Sequence, residues 1–219
     1  MSERIRVWDL PTRLFHWLLV LLFAFSWWSA ENREMDWHRQ SGLCLLGLVA
    51  FRLIWGVIGS STSRFGNFVR SPARVLAYVR AKPAEKVQPG HNPVGGYSVL
   101  VMLLVLALQI TGGLFAVDVD GLESGYLSNF VTFEQGRQAS ELHEIGFNLM
   151  LGVIGLHVIA ILFYRFVRKR NLITPMFTGS DAEIDSDAPS LISASRLSLI
   201  IAIVAAAALS WWVSTGLGL

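Results

Sequence analysis

Two histidines, His143 and His157, stand fourteen residues apart in one apolar stretch, ELHEIGFNLMLGVIGLHVIAILFY. At 1.5 Å and about 100° per residue, a helix places them roughly 21 Å apart and within about 40° of one face. That rise is about two-thirds of the hydrocarbon thickness of a bilayer. Ionisable side chains inside a membrane are costly to bury and mark functional sites. A neutral imidazole offers a nitrogen lone pair to a metal, so two of them on one face at two depths call for partners on other helices. Three further histidines, His16, His38 and His91, are available.

The elements that must position them are membrane helices. A mean hydropathy of +0.50, with 53% hydrophobic and 16% charged residues, describes a membrane protein rather than a soluble one. Five segments, 11–30, 39–59, 95–117, 142–165 and 193–215, are long and apolar enough to span. An all-α integral membrane bundle follows. Asp9 as an N-cap and Pro11 in the first turn suit a retained first helix, and Trp28 is a poor residue to precede a cleavage before Glu31.

Lysine and arginine set the expected orientation. The amino-terminal tail carries Arg4, Arg6 and Arg13, and the second loop Arg64, Arg70, Arg74, Arg80, Lys82 and Lys86. The fourth loop adds Arg165, Arg168, Lys169, Arg170 and Arg196, against only Arg33, Arg39 and Arg137 in the first and third. Fourteen against three places the amino terminus in the cytoplasm and, after five crossings, the carboxyl terminus on the opposite side. Trp27, Trp28, Trp37, Trp211 and Trp212 fall at the outer ends of spans, as an aromatic belt does. The net charge of +2 therefore reports topology, not a nucleic-acid surface. The stretch FVRSPARVLAYVRAK in the second loop is amphipathic enough to lie on the inner surface as a short helix. The third loop, 118–141, is acidic and aromatic, and DAEIDSD at 181–187 reads as a solvated linker.

Depth decides which histidines can meet. The first helix enters from the cytoplasm, so His16 is near the inner surface. The second and fourth enter from outside, so His38 and His143 are near the outer surface and His157 near the inner one. Antiparallel packing then pairs His16 with His157 and His38 with His143. Zinc and di-metal sites need three or four ligands converging at one point. Imidazoles converging two by two, with no acid beside them in the membrane, fit a planar macrocycle that lacks only its axial ligands, which is haem. There is no C-x-x-C-H, and Cys44 is the single cysteine, so the expected haem is b-type and no intramolecular disulfide forms. Arg52 lies fourteen residues after His38, on nearly the same face at inner-haem depth, where a haem propionate would balance its charge. Gly42 and Gly146, each about one turn from an outer histidine, would let a macrocycle approach the backbone.

Plainer readings stand beside these. A lone intramembrane histidine fits an interhelical hydrogen bond, and Gln109, Thr111 and Asn148 fit the same role. Arg52 can snorkel to the inner surface. His91, in PGHNPVGG, sits among turn residues with no partner at its depth, and a loop role suits it.

The segments VWDLPTRLFHW, WHRQSGLCLLGLVAFRLIWG, PGHNPVGGYSVL, LHEIGFNLMLGVIGLHV and NLITPMFTG together resemble the bacterial cytochrome b561 and hydrogenase b-type cytochrome family. The resemblance covers roughly residues 5–180 and implies four helices holding two b haems, with ligands on the first, second and fourth. Carried over by position, these are His16, His38, His143 and His157. It implies a di-haem domain over 1–180, followed by an acidic linker and a fifth transmembrane helix over 181–219. The implied setting is the bacterial inner membrane. The expected function is electron transfer between the quinone pool and a periplasmic redox partner, either a c-type cytochrome or a hydrogenase-like enzyme. Iron with two axial imidazoles has no open position for oxygen, which favours electron transfer. The acidic third loop is the expected docking face. One alternative is a superoxide oxidase that reduces quinone; another, from a different class, is a non-haem membrane transporter or assembly factor.

Overall fold

The computed structural model describes residues 5–80, 89–184 and 188–218. Arg4, Lys82 and Lys86 of the basic set, and Asp185 and Asp187 of the acidic run, lie outside the described residues. The chain folds in the order β1 (Ile5–Arg6), α1 (Leu10–Glu31), α2 (Met35–Ile58), α3 (Phe65–Phe68), α4 (Pro72–Arg80) and α5 (Pro93–Phe115). After these come α6 (Phe133–Phe166), α7 (Ile173–Thr178), β2 (Ser180–Asp181) and α8 (Arg196–Ser214). The helices α1, α2, α5, α6 and α8 are long and apolar enough to cross a membrane, so the architecture is the expected all-α membrane bundle. The amphipathic piece of the second loop is α4, as its pattern predicts.

Asp9 caps α1 by accepting from the Thr12 backbone N–H at 2.8 Å, and Pro11 sits in the first turn, where its missing N–H leaves nothing unpaired. The same carboxylate does more than cap. Trp55 at the end of α2 donates its indole N–H to Asp9 Oδ2 at 3.0 Å, and the Ser60 hydroxyl donates to that oxygen as well. One buried carboxylate thus ties the start of α1 to the end of α2. Asp9→Ala is expected to cost about 3 kcal/mol, from the lost cap and the stranded Trp55 N–H. The measurement is the thermal midpoint of the purified protein in detergent, with Asp9→Asn falling between wild type and alanine.

The fourth span departs from expectation at its amino-terminal end. It begins at Phe133, not near 142, and runs for 34 residues, about 51 Å at helical rise. Thr132 accepts from the Gln135 N–H while the Gln135 side chain accepts from the Thr132 N–H, a reciprocal capping box. That T-x-x-Q signal starts the helix within a stretch whose polarity reads as loop. The third loop is correspondingly shorter, and Phe133 and Glu134 stand on the first turn of α6.

α2 is the central helix, packed against α1, α5 and α8, while α5 also packs along α6. The shared core is Leu45 and Val49 of α2, Val105, Leu106 and Ile110 of α5, and Met150 of α6. α1 meets α6 through aromatic rings, with Phe23 and Trp27 both against Phe147. α8 approaches α2 closely where Gly47 faces Ser210, whose hydroxyl donates to the Leu43 carbonyl at 3.1 Å. β1 pairs antiparallel with β2, and Ile5, Val7 and Ile184 bury one another beside them. The acidic run is therefore not solvated throughout: Asp181 is buried at 5% exposure and accepts from Arg170 at 3.5 Å.

Candidate functional site

Two poles of the bundle carry the histidines. At the pole away from Asp9, α2 presents His38 and α6 presents His143 with ring centroids 5.9 Å apart and ring planes at 86°. A metal held midway on bonds of about 2 Å to both imidazoles needs centroids roughly 6 Å apart, so the spacing suits a shared axial position. Both rings are also set in the right tautomer. His38 Nδ1–H donates to the Ser26 carbonyl of α1 at 2.9 Å, and His143 Nδ1–H donates to the Gln109 carbonyl of α5 at 2.8 Å. Each bond leaves the Nε2 lone pair as the coordinating one and fixes the ring's direction. α1 and α5 thereby orient ligands that they do not themselves carry.

Glycines make room for this arrangement. A Cβ at Gly113 would lie 2.8 Å from His143 Cε1, so only glycine lets α5 pass this close to the ring. Gly42 faces no protein atom within 4 Å, consistent with the expected approach of a flat group. Gly146 differs from expectation: a Cβ there would collide with the Gln109 side-chain oxygen, so its bareness accommodates an amide on α5.

At the other pole, where Asp9 caps α1, lie His16 in the first half of α1 and His157 in the last part of α6. His16 stands edge-on to Trp17 at 4.8 Å, and its Nδ1 is buried without a protein partner. Arg52 is buried at 3% exposure, donates to the Ser63 carbonyl at 3.2 Å and lies 4.8 Å over the Phe65 ring. Its charge is held inside the bundle and does not snorkel outward. His91, expected to have a loop role, packs its ring between Trp8 (4.7 Å) and Phe68 (4.6 Å) with Nδ1 buried and unpartnered. Burial, with the positive charge of Arg52 and the nearby His157 adding to it, pushes His91 down to about 3, so it is neutral at physiological pH.

The adjoining polar cluster was not visible in sequence. Asn92 caps α5 through the Gly95 N–H at 2.7 Å and donates its side-chain amide to the Tyr164 hydroxyl at 2.8 Å. The Tyr78 hydroxyl of α4 lies 3.3 Å from that of Tyr164. Burial and this bond push the Tyr78 phenol up to about 12. Nothing in a single sequence pairs residues 78, 92 and 164.

Among the described residues no three His, Cys, Asp or Glu side chains converge as a metal cluster. The donor set is two facing imidazoles, His38 and His143, at one level, with His16 and His157 at the other. It fits a metal that brings its own four in-plane ligands.

The family described as Prokaryotic cytochrome b561 matches residues 7–179. No curated protein and no solved structure matches the chain.

Proposed function

The chain belongs to the prokaryotic cytochrome b561 family, membrane b-type cytochromes of electron transfer, and from that premise we propose a di-haem protein linking the quinone pool to a periplasmic redox partner. The observation that carries this reading is the His38–His143 pair, 5.9 Å apart with both Nδ1–H groups donated to backbone carbonyls. When bound, two b haems supply reversible one-electron chemistry at two depths, without an open iron position for oxygen. His38 and His143 would hold the outer one, His16 and His157 the inner one. Arg52, buried at the pole of His157, would set its charge against an inner propionate. Family membership sets aside the non-haem transporter or assembly-factor reading.

In the proposed orientation the amino terminus is cytoplasmic, the carboxyl terminus periplasmic, and the membrane the bacterial inner membrane. The loop after α5 then faces the periplasm beside His38 and His143. It exposes Val119, Leu122 and Phe130 beside Asp120 and Glu123, and the first turn of α6 adds Phe133 and Glu134, an apolar centre with an acidic rim. Such a surface suits a basic protein partner such as a c-type cytochrome; a hydrogenase-like enzyme is the other candidate. A small anion is less well served. Arg39, next to His38, is engaged by Asp36 and Glu123, and Arg137 by the Val117 carbonyl. The superoxide-oxidising alternative therefore rests on Arg33, which is exposed just past the end of α1.

The test is the absorbance and haem content of the protein purified from membranes. The expected result is dithionite-reducible b-type bands, two haems per chain, and reduction by a quinol analogue. One haem per chain, or none, overturns the di-haem reading.

A further inference from the structure

Gln109 of α5 is 8% exposed and touches His143 twice. Its backbone carbonyl accepts the Nδ1–H, and its side-chain nitrogen stands 3.3 Å from Nε2, the nitrogen proposed to face iron. The orientation of the carboxamide follows from the tautomer: with Nδ1 as donor, Nε2 carries the lone pair, so the amide N–H end must face it. The amide oxygen lies against the bare face of Gly146 and has no hydrogen-bond partner. A buried carboxamide with one end unpaired and the other spent on a metal ligand's lone pair is unusual for a packing residue. Buried polar groups ordinarily find partners. Once Nε2 gives that pair to a metal, the amide N–H loses its acceptor too.

We propose that Gln109 is a positioning and tuning residue for the outer haem, its backbone carbonyl aiming His143 and its side-chain N–H dipole facing the iron side of the ligand. This rests on the di-haem reading above. A positive dipole end beside iron favours the ferrous form, which carries one positive charge fewer, and so raises the reduction potential. The inner haem, bound by His16 and His157 at the other pole, does not feel it. An amide serving only to join α5 and α6 would affect stability and leave potentials alone.

The experiment is redox titration of holoprotein in detergent, read by visible absorbance and by the ferric electron paramagnetic resonance signals, for wild type, Gln109→Leu and Gln109→Glu. The outer haem is identified as the one missing from His143→Ala. Gln109→Leu is expected to lower the outer haem's reduction equilibrium about tenfold, 59 mV for one electron. Gln109→Glu lowers it further, because a carboxylate stabilises ferric iron. The outer ferric signal shifts in both variants and the inner one in neither. Leucine keeps the backbone carbonyl, so selective loss of the outer haem from that variant supports a hold by the side chain itself, and the glutamate variant then gives the potential. Unchanged outer potential and signal in both variants overturn the proposal, as do equal shifts of the two haems. Wild-type protein with fewer than two haems defeats the underlying di-haem reading instead, and takes the proposal with it.

Discussion

Replacing His143 by alanine is expected to reduce the haem content from two to one per chain. The loss should be confined to the outer position. His38 alone offers one axial nitrogen, and the 5.9 Å pairing proposed to hold a metal from both sides no longer exists. His16 and His157 lie at the other pole and keep their own haem with its own potential. Changes in outer-shell partners of a metal ligand cost about 10–100-fold in affinity, so removal of a ligand itself costs more. Electron transfer from a quinol to an external acceptor should fall at least ~100-fold on the same grounds, while quinol reduction of the remaining haem persists if the quinone meets the inner pole. Haem-to-protein ratio and redox titration provide the measurement. Loss of both haems from the folded variant, or of neither, would show that the pairing is wrong.

Gly113→Val should produce much the same spectrum without touching any ligand. A Cβ at position 113 falls 2.8 Å from Cε1 of His143, closer than real side chains pack, and a tight 3.2 Å from its Nδ1. The ring cannot yield freely, because its Nδ1–H is fixed to the Gln109 carbonyl at 2.8 Å. Relief requires the imidazole to swing, which breaks that bond and turns Nε2 away from His38. Outer-haem affinity is expected to drop by about 10–100-fold, the range for lost second-shell support, with the inner haem untouched. Gly113→Ala should show a smaller effect of the same kind. A valine variant with two haems and wild-type potentials would mean that α5 does not aim His143.

These two variants mark the boundary of what the sequence discloses. The histidine depths are legible because fourteen residues is simple helix arithmetic, and a membrane gives that arithmetic an absolute scale. The cap at Asp9 is legible because it is local: Asp9 and Thr12 are neighbours in the chain. Its hold on Trp55 and Ser60 is not, since no periodicity sets the register between two helices. The same gap hides Gln109 and Gly113, which gain their roles only when α5 is placed against α6 at one rotation. The start of α6 is signalled by the Thr132–Gln135 box, but the polarity of the residues after it outweighs that local signal. Asp181 misleads for the opposite reason, an acid in an acidic run that is drawn inward by Arg170 and the pairing of β1 with β2.

The packing of α8 on α2 has a consequence for how the chain is made. All four histidines proposed as ligands belong to α1, α2 and α6, and the carbonyls that orient His38 and His143 belong to α1 and α5. The ribosome completes every one of these before it begins α8. Yet α2, the second long helix in chain order, has one flank covered by α8 among the described residues. A state is therefore expected in which all four proposed ligands have been made while the α2 flank that α8 covers is still open to lipid.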